Sequence, residues 1–98
     1  METPRNETPV VVVHTPVTDP AGLGPFVEDC LREGVKLIAV AGGDADVIED
    51  AIDEIVVGDG SQEGRFIVTS SHAGESPEDV MEFASSWDGG SAVREVRL

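Results

Sequence analysis

The sequence predicts an α/β fold: one small three-layer domain in which a four-stranded, mostly parallel sheet carries three helices. Three observations lead there. Val10-Val11-Val12-Val13 is an unbroken β-branched run, and Lys36-Leu37-Ile38-Ala39-Val40-Ala41 is a second apolar run closed by Gly42-Gly43. Continuous rather than alternating hydrophobicity is what a strand covered on both faces requires. Elsewhere apolar residues recur at helical spacing, most cleanly at Val47, Ile48, Ala51, Ile52, Ile55 and Val56, with Asp46, Glu49, Asp50, Asp53 and Glu54 opposite. Strands alternating with such helices form βαβ units, and those units imply parallel strands and right-handed crossovers.

Taken in order, Met1–Thr8 is polar, contains Pro4 and reads as a frayed tail (1–8) ahead of a single domain (9–98). Strand one ends at His14, because Thr15-Pro16-Val17-Thr18-Asp19-Pro20 cannot continue it. Leu23, Phe26, Val27, Cys30 and Leu31 share one helix face; Pro25 is tolerable only in the first turn, and Gly34 stops the helix. After strand two, Asp44 is placed to cap the second helix, which exits through Gly58-Asp59-Gly60-Ser61. Gly64 then breaks the chain before Phe66-Ile67-Val68, a short apolar run expected to be a buried third strand. Ser76 reads as an N-cap, with Pro77 at the first helical position and Glu78 and Asp79 at the positive end of the dipole. That helix turns Val80, Phe83, Ala84 and Trp87 inward and ends at Asp88-Gly89-Gly90. Ala92–Leu98 alternates with charges, as an edge strand does. The simplest spatial order is 2-1-3-4, half of a flavodoxin-like sheet, with strands one and three in the middle.

Asp and Glu number 20 against 6 Lys and Arg, for a net charge of −14. A phosphate backbone is bound by clustered Lys and Arg, so nucleic acid is excluded as a partner, and an anionic membrane surface is disfavoured for the same reason. Two uses of the acidity remain: an acidic face that docks a basic protein, or adaptation to a salty cytoplasm. No apolar run approaches a membrane span, and the N-terminus lacks the apolar core of a secretory signal. Cys30 is the sole cysteine, so no intramolecular disulfide can form; a cytoplasmic location is expected, with Cys30 as a buried small hydrophobe. The charged edge strand offers a route to homo-oligomers.

In the 2-1-3-4 order the carboxyl ends of strands one and three meet at the switch point, where open α/β sheets bind ligands. The rim there comprises His14, Thr15, Gly42, Gly43, Asp44, Thr69, Ser70, Ser71, His72 and Glu75. A metal reading takes His14 and His72 with Asp44 or Glu75 as a two-histidine, carboxylate set, though without a local ligand motif. A hydrolytic reading makes Ser70 or Ser71 a nucleophile with a histidine base, yet no G-x-S-x-G elbow surrounds either. An anion reading uses the free N–H groups after Gly42-Gly43, where Asp44 would repel the ligand. The plainest reading has Asp44, Ser76 and the serines capping and stitching loops, with neither cofactor nor catalytic residue. A phosphoacceptor receiver domain is set aside, because His14-Thr15 and Thr69-Ser70-Ser71 stand where such a domain needs acidic residues.

Glu49-Asp50-Ala51-Ile52-Asp53-Glu54-Ile55-Val56-Val57-Gly58-Asp59-Gly60, followed by Arg65-Phe66-Ile67-Val68-Thr69-Ser70-Ser71-His72 and Glu75-Ser76, resembles a group of small uncharacterised bacterial proteins of similar length. That resemblance implies the fold boundaries and no activity. The functional expectation is a non-enzymatic accessory domain, antitoxin-like or immunity-like, that binds a basic protein. Its rival is a metal- or small-ligand-binding enzyme at the His14/His72 rim.

Overall fold

The computed structural model describes residues 9–58, 67–87 and 92–97. The expected tail at 1–8, the turn through Asp59-Gly60-Ser61, Gly64 and Phe66 ahead of strand three, the Asp88-Gly89-Gly90 helix exit and Leu98 lie outside them. Within them the chain runs β1 (Val10–His14), a 3₁₀ turn (Pro20–Gly22), α1 (Leu23–Glu33), β2 (Leu37–Ala41), α2 (Ala45–Val57), β3 (Val68–His72), α3 (Pro77–Ser86) and β4 (Val93–Arg97). Every strand pair is parallel, and the α/β class stands.

The strand order is β3-β2-β1-β4, which corrects the expected 2-1-3-4. β1 and β2 are buried at every position and take the middle. β3 reads VTSSH and is exposed or half-buried from Val68 to Ser71, as suits an edge. The strand starts later than the apolar Phe66–Val68 run that predicts it. Pairing in fact starts at Val68 and continues through Ser70, Ser71 and His72, which had been expected in a loop. β4 is the opposite edge, as its alternating charges imply.

The winding distributes the helices. From β1 to β3 the chain steps in one direction, leaving α1 and α2 on one face; it then returns past β1 to lay down β4, and right-handedness places α3 on the other face. Val11, Val13, Ile38 and Val40 accordingly pack with Leu23, Val27, Cys30, Ile52 and Val56. Val10, Val12, Leu37, Ala39 and Ala41 pack with Val80 and Ala84, flanked by Phe83 and Trp87.

Local chemistry sets the helix ends. Gly34 closes α1 in the left-handed region at φ 82°, where a side chain would be strained. Ser76 Oγ accepts the Asp79 N–H at 3.1 Å, with Pro77 opening α3. Asp44 occupies the N-cap of α2, but its carboxylate makes no capping bond, a correction to its expected role. Val47 also departs from expectation: it is 69 % exposed. The buried stripe of α2 runs through Ala45, Ile52 and Val56, and five residues at 3.6 per turn carry Val47 well round the helix from Ile52.

Candidate functional site: the strand-end rim and its acidic flank

With β3 at an edge, the switch point lies between β1 and β4 rather than between β1 and β3, and the expected rim divides. His14 is in register with Ala41, and Ala41 with His72. The two histidines therefore stand on one rung and one face, the α3 face, two strand spacings or roughly 10 Å apart. Each has a carboxylate of its own. His14 Nε2 donates to Glu95 Oε1 at 2.8 Å, because Glu95 lies two residues before Arg97, the residue level with His14, and so shares its face. His72 Nδ1 donates to Glu75 Oε2 at 3.1 Å. The alternative metal set of His14, His72, Asp44 and Glu75 is not brought together, and among the described residues no group of three or more His, Cys, Asp or Glu is arranged to hold a metal ion.

The middle of the rim is filled by its own chain. The Thr15 N–H and Oγ1 both donate to the Ala41 carbonyl, at 3.0 and 2.8 Å. Gly42 has φ 109°, and a Cβ there would stand 2.0 Å from Thr15 Oγ1. The backbone at Gly42 thus lies against Thr15. Asp44, beside it, is exposed.

The edge half of the rim is tighter. Ser70 and His72 point to the same side of β3, and the turn through Gly74, at φ 85°, brings Glu75 back beneath the ring. With Nδ1–H donating to Glu75, Nε2 accepts from Ser70 Oγ at 2.8 Å. That is the connectivity of a serine, histidine and acid relay. The imidazole is only 7 % exposed, and the Phe83 ring lies against it at 4.7 Å between centroids.

On the other face of β3, Thr69 Oγ1 donates to Glu49 Oε2 at 2.6 Å and the Ser71 hydroxyl donates to Asp46, so α2 is stitched to the edge strand through its carboxylates. Beyond this seam Asp50, Asp53 and Glu54 are exposed, together with Val47 and Val57, the latter 54 % exposed. No lysine or arginine occurs in α2. Sequence reasoning missed Glu95, Asp46 and Glu49 as partners. The i, i+3 spacing of Asp46 and Glu49 and the i, i+2 spacing of Thr69 and Ser71 were visible, but not which element each would meet.

Beneath α1, the Arg94 guanidinium reaches Glu33 at 3.1 Å. Burial pushes the Cys30 thiol up to about 11, with Arg94 opposing that rise and Glu33 adding to it. Cys30 is wholly buried, as expected, and stays a protonated thiol at neutral pH.

A family model described as a domain of unknown function, DUF7684, matches residues 1–91. The chain belongs to that family. No curated protein and no solved structure matches it. No helix of the described residues is long and apolar enough to cross a membrane.

Proposed function

We propose that this chain is a small cytoplasmic accessory domain of bacterial source that binds a basic protein through the outward face of α2, as an antitoxin or immunity protein would. One observation carries the reading: the face combines exposed apolar side chains with exposed carboxylates on a helix that carries no lysine or arginine. Val47, Asp50, Glu54 and Val57 fall at i, i+3, i+7 and i+10, a single outward stripe, with Asp46 and Asp53 beside it. Carboxylates without a basic neighbour weaken the helix that carries them. Facing a basic partner they instead steer association, and the valines supply area to bury. Cross-linking and affinity capture compare the wild type with Asp50→Asn/Asp53→Asn/Glu54→Gln at low and raised salt, and each captured protein is purified and titrated back. A basic protein that binds one-to-one, weakens with salt and is lost by the variant supports the reading. Capture that the variant leaves unchanged overturns it.

A second reading rests on the Ser70–His72–Glu75 hydrogen bonds: an acyl hydrolase in which Ser70 attacks and His72 takes the proton. A fluorophosphonate probe would then add to Ser70, and the His72→Ala variant would not react. The burial of the ring against Phe83 favours the binding reading, since a nucleophile must meet its substrate.

A further inference from the structure

We infer that the outer edge of β3 is where the basic partner docks, adding as a further strand a segment in which lysine or arginine alternates with β-branched apolar residues. The inference rests on the α2 reading and gives it a backbone geometry. β3 pairs with β2 on one side, and among the described residues no strand pairs with its other side. Val68 N–H donates to the Lys36 carbonyl at 3.0 Å. Successive residues of a parallel ladder turn their N–H and C=O groups to alternate sides. The main-chain groups of Val68, Ser70 and His72 thus face β2, and those of Thr69 and Ser71 face outward. Edge strands are ordinarily guarded by charge, proline or a bulge. β4 carries Arg94, Glu95 and Arg97, whereas Val68 to Ser71 are uncharged and pair in unbroken register.

Two side-chain features select the occupant. Asp46, Glu49 and Asp53 recur at i, i+3 and i+7 along the flank of α2 beside β3, two of them already touching Thr69 and Ser71 and the third a turn farther on and exposed. Across the edge, on the α3 face, Val68 is 36 % exposed. Successive side chains of an incoming strand fall on alternate faces, so one set meets carboxylates and the other meets Val68 and Ser70. Lysine or arginine answers the first, valine or isoleucine the second. A second copy of the chain is the poorer occupant: its β3 has no Lys or Arg, and pairing would bring together two acidic rows from chains of net charge −14.

The test uses a short capped peptide alternating lysine and valine, the same peptide N-methylated at alternate residues in each phase to block either edge, and its glutamate counterpart. Calorimetry should show binding of the parent, none of the glutamate peptide, and a loss of about tenfold or more in at least one N-methylated form, where two or more main-chain bonds are removed. Hydrogen exchange at the Thr69 and Ser71 amides should slow on binding. Ser71→Pro removes one outward N–H and leaves the β2 ladder intact, so it should weaken the parent several-fold more than Ser71→Ala does. If parent and N-methylated peptides bind alike, strand addition is overturned while the charge reading of α2 stands. No binding of the parent, or protection that appears elsewhere, also overturns it. Concentration-dependent protection of Thr69 and Ser71 without peptide would overturn it in favour of a second copy.

Discussion

The two faces of the sheet are built to different standards. On one, α1 and α2 together cover Val11, Val13, Ile38 and Val40, and the apolar cluster continues into Leu23, Val27, Cys30, Ile52, Val56 and Ile67. On the other, among the described residues, α3 alone covers Val10, Val12, Leu37, Ala39 and Ala41. That helix has ten residues, and at its rim the strands carry His14 and His72 in place of aliphatic side chains, with Phe83 of α3 against the His72 ring. Both rings are buried, and both are satisfied by nearby carboxylates. The difference teaches that polar residues at a strand end need not mark a ligand; paired with carboxylates, they also finish the buried rim of a face.

The comparison breaks first at its apolar centre. Ile52 is fully buried on the two-helix face, so Ile52→Ala should destabilise by about 2–5 kcal/mol. Val80 is its counterpart on the one-helix face, likewise fully buried. A smaller side chain is lost there, and Val80→Ala should cost roughly 2 kcal/mol. Urea midpoints for the two variants decide the ranking; a Val80 loss as large as that at Ile52 would mean the faces contribute equally.

The burial of Cys30 gives the two-helix face a pH signature. The unfolded thiol ionises near 9.0 and the folded one at about 11, so the folded state holds its proton longer. Stability from this group is fully present below pH about 9, falls as pH rises above it and is gone once pH passes about 11, a change on the order of 2 kcal/mol. Unfolding curves across that window, taken with Cys30→Ala alongside, isolate it from other titrations. A wild type and variant that lose stability in parallel would show that the thiol is not desolvated.

How far the sequence could be read follows from the same contrast. The valine run of β1, the apolar run of β2, the Gly34 stop, the Ser76–Pro77 start and the alternation of β4 are local patterns, and each became the element expected. Strand order is not local. Phe66-Ile67-Val68 looked central because apolar residues cluster there, while the pairing that defines β3 begins at Val68, where the chain turns polar. The rim failed for the same reason: His14 and His72 were placed side by side, and an edge position for β3 sets Ala41 between them. Glu95 pairs with His14 across 81 residues, a contact that no spacing within either segment announces.

The smallest expected effects lie at the helix starts and sharpen the comparison most finely. Ser76 Oγ satisfies the Asp79 N–H, and among the described residues α3 is the sole helix on its face, so Ser76→Ala should destabilise by about 1 kcal/mol. Asp44 sits in the equivalent place on α2 without a capping bond. Removing its carboxylate forfeits only its attraction to the helix dipole, a few tenths of a kcal/mol at an exposed position. Meanwhile α2 is held on β3 by Glu49 and Asp46. Asp44→Ala should therefore shift the urea midpoint by less than half as much as Ser76→Ala. An equal shift would show that the Asp44 carboxylate does cap α2 in solution, and that both faces depend on their helix starts to the same degree.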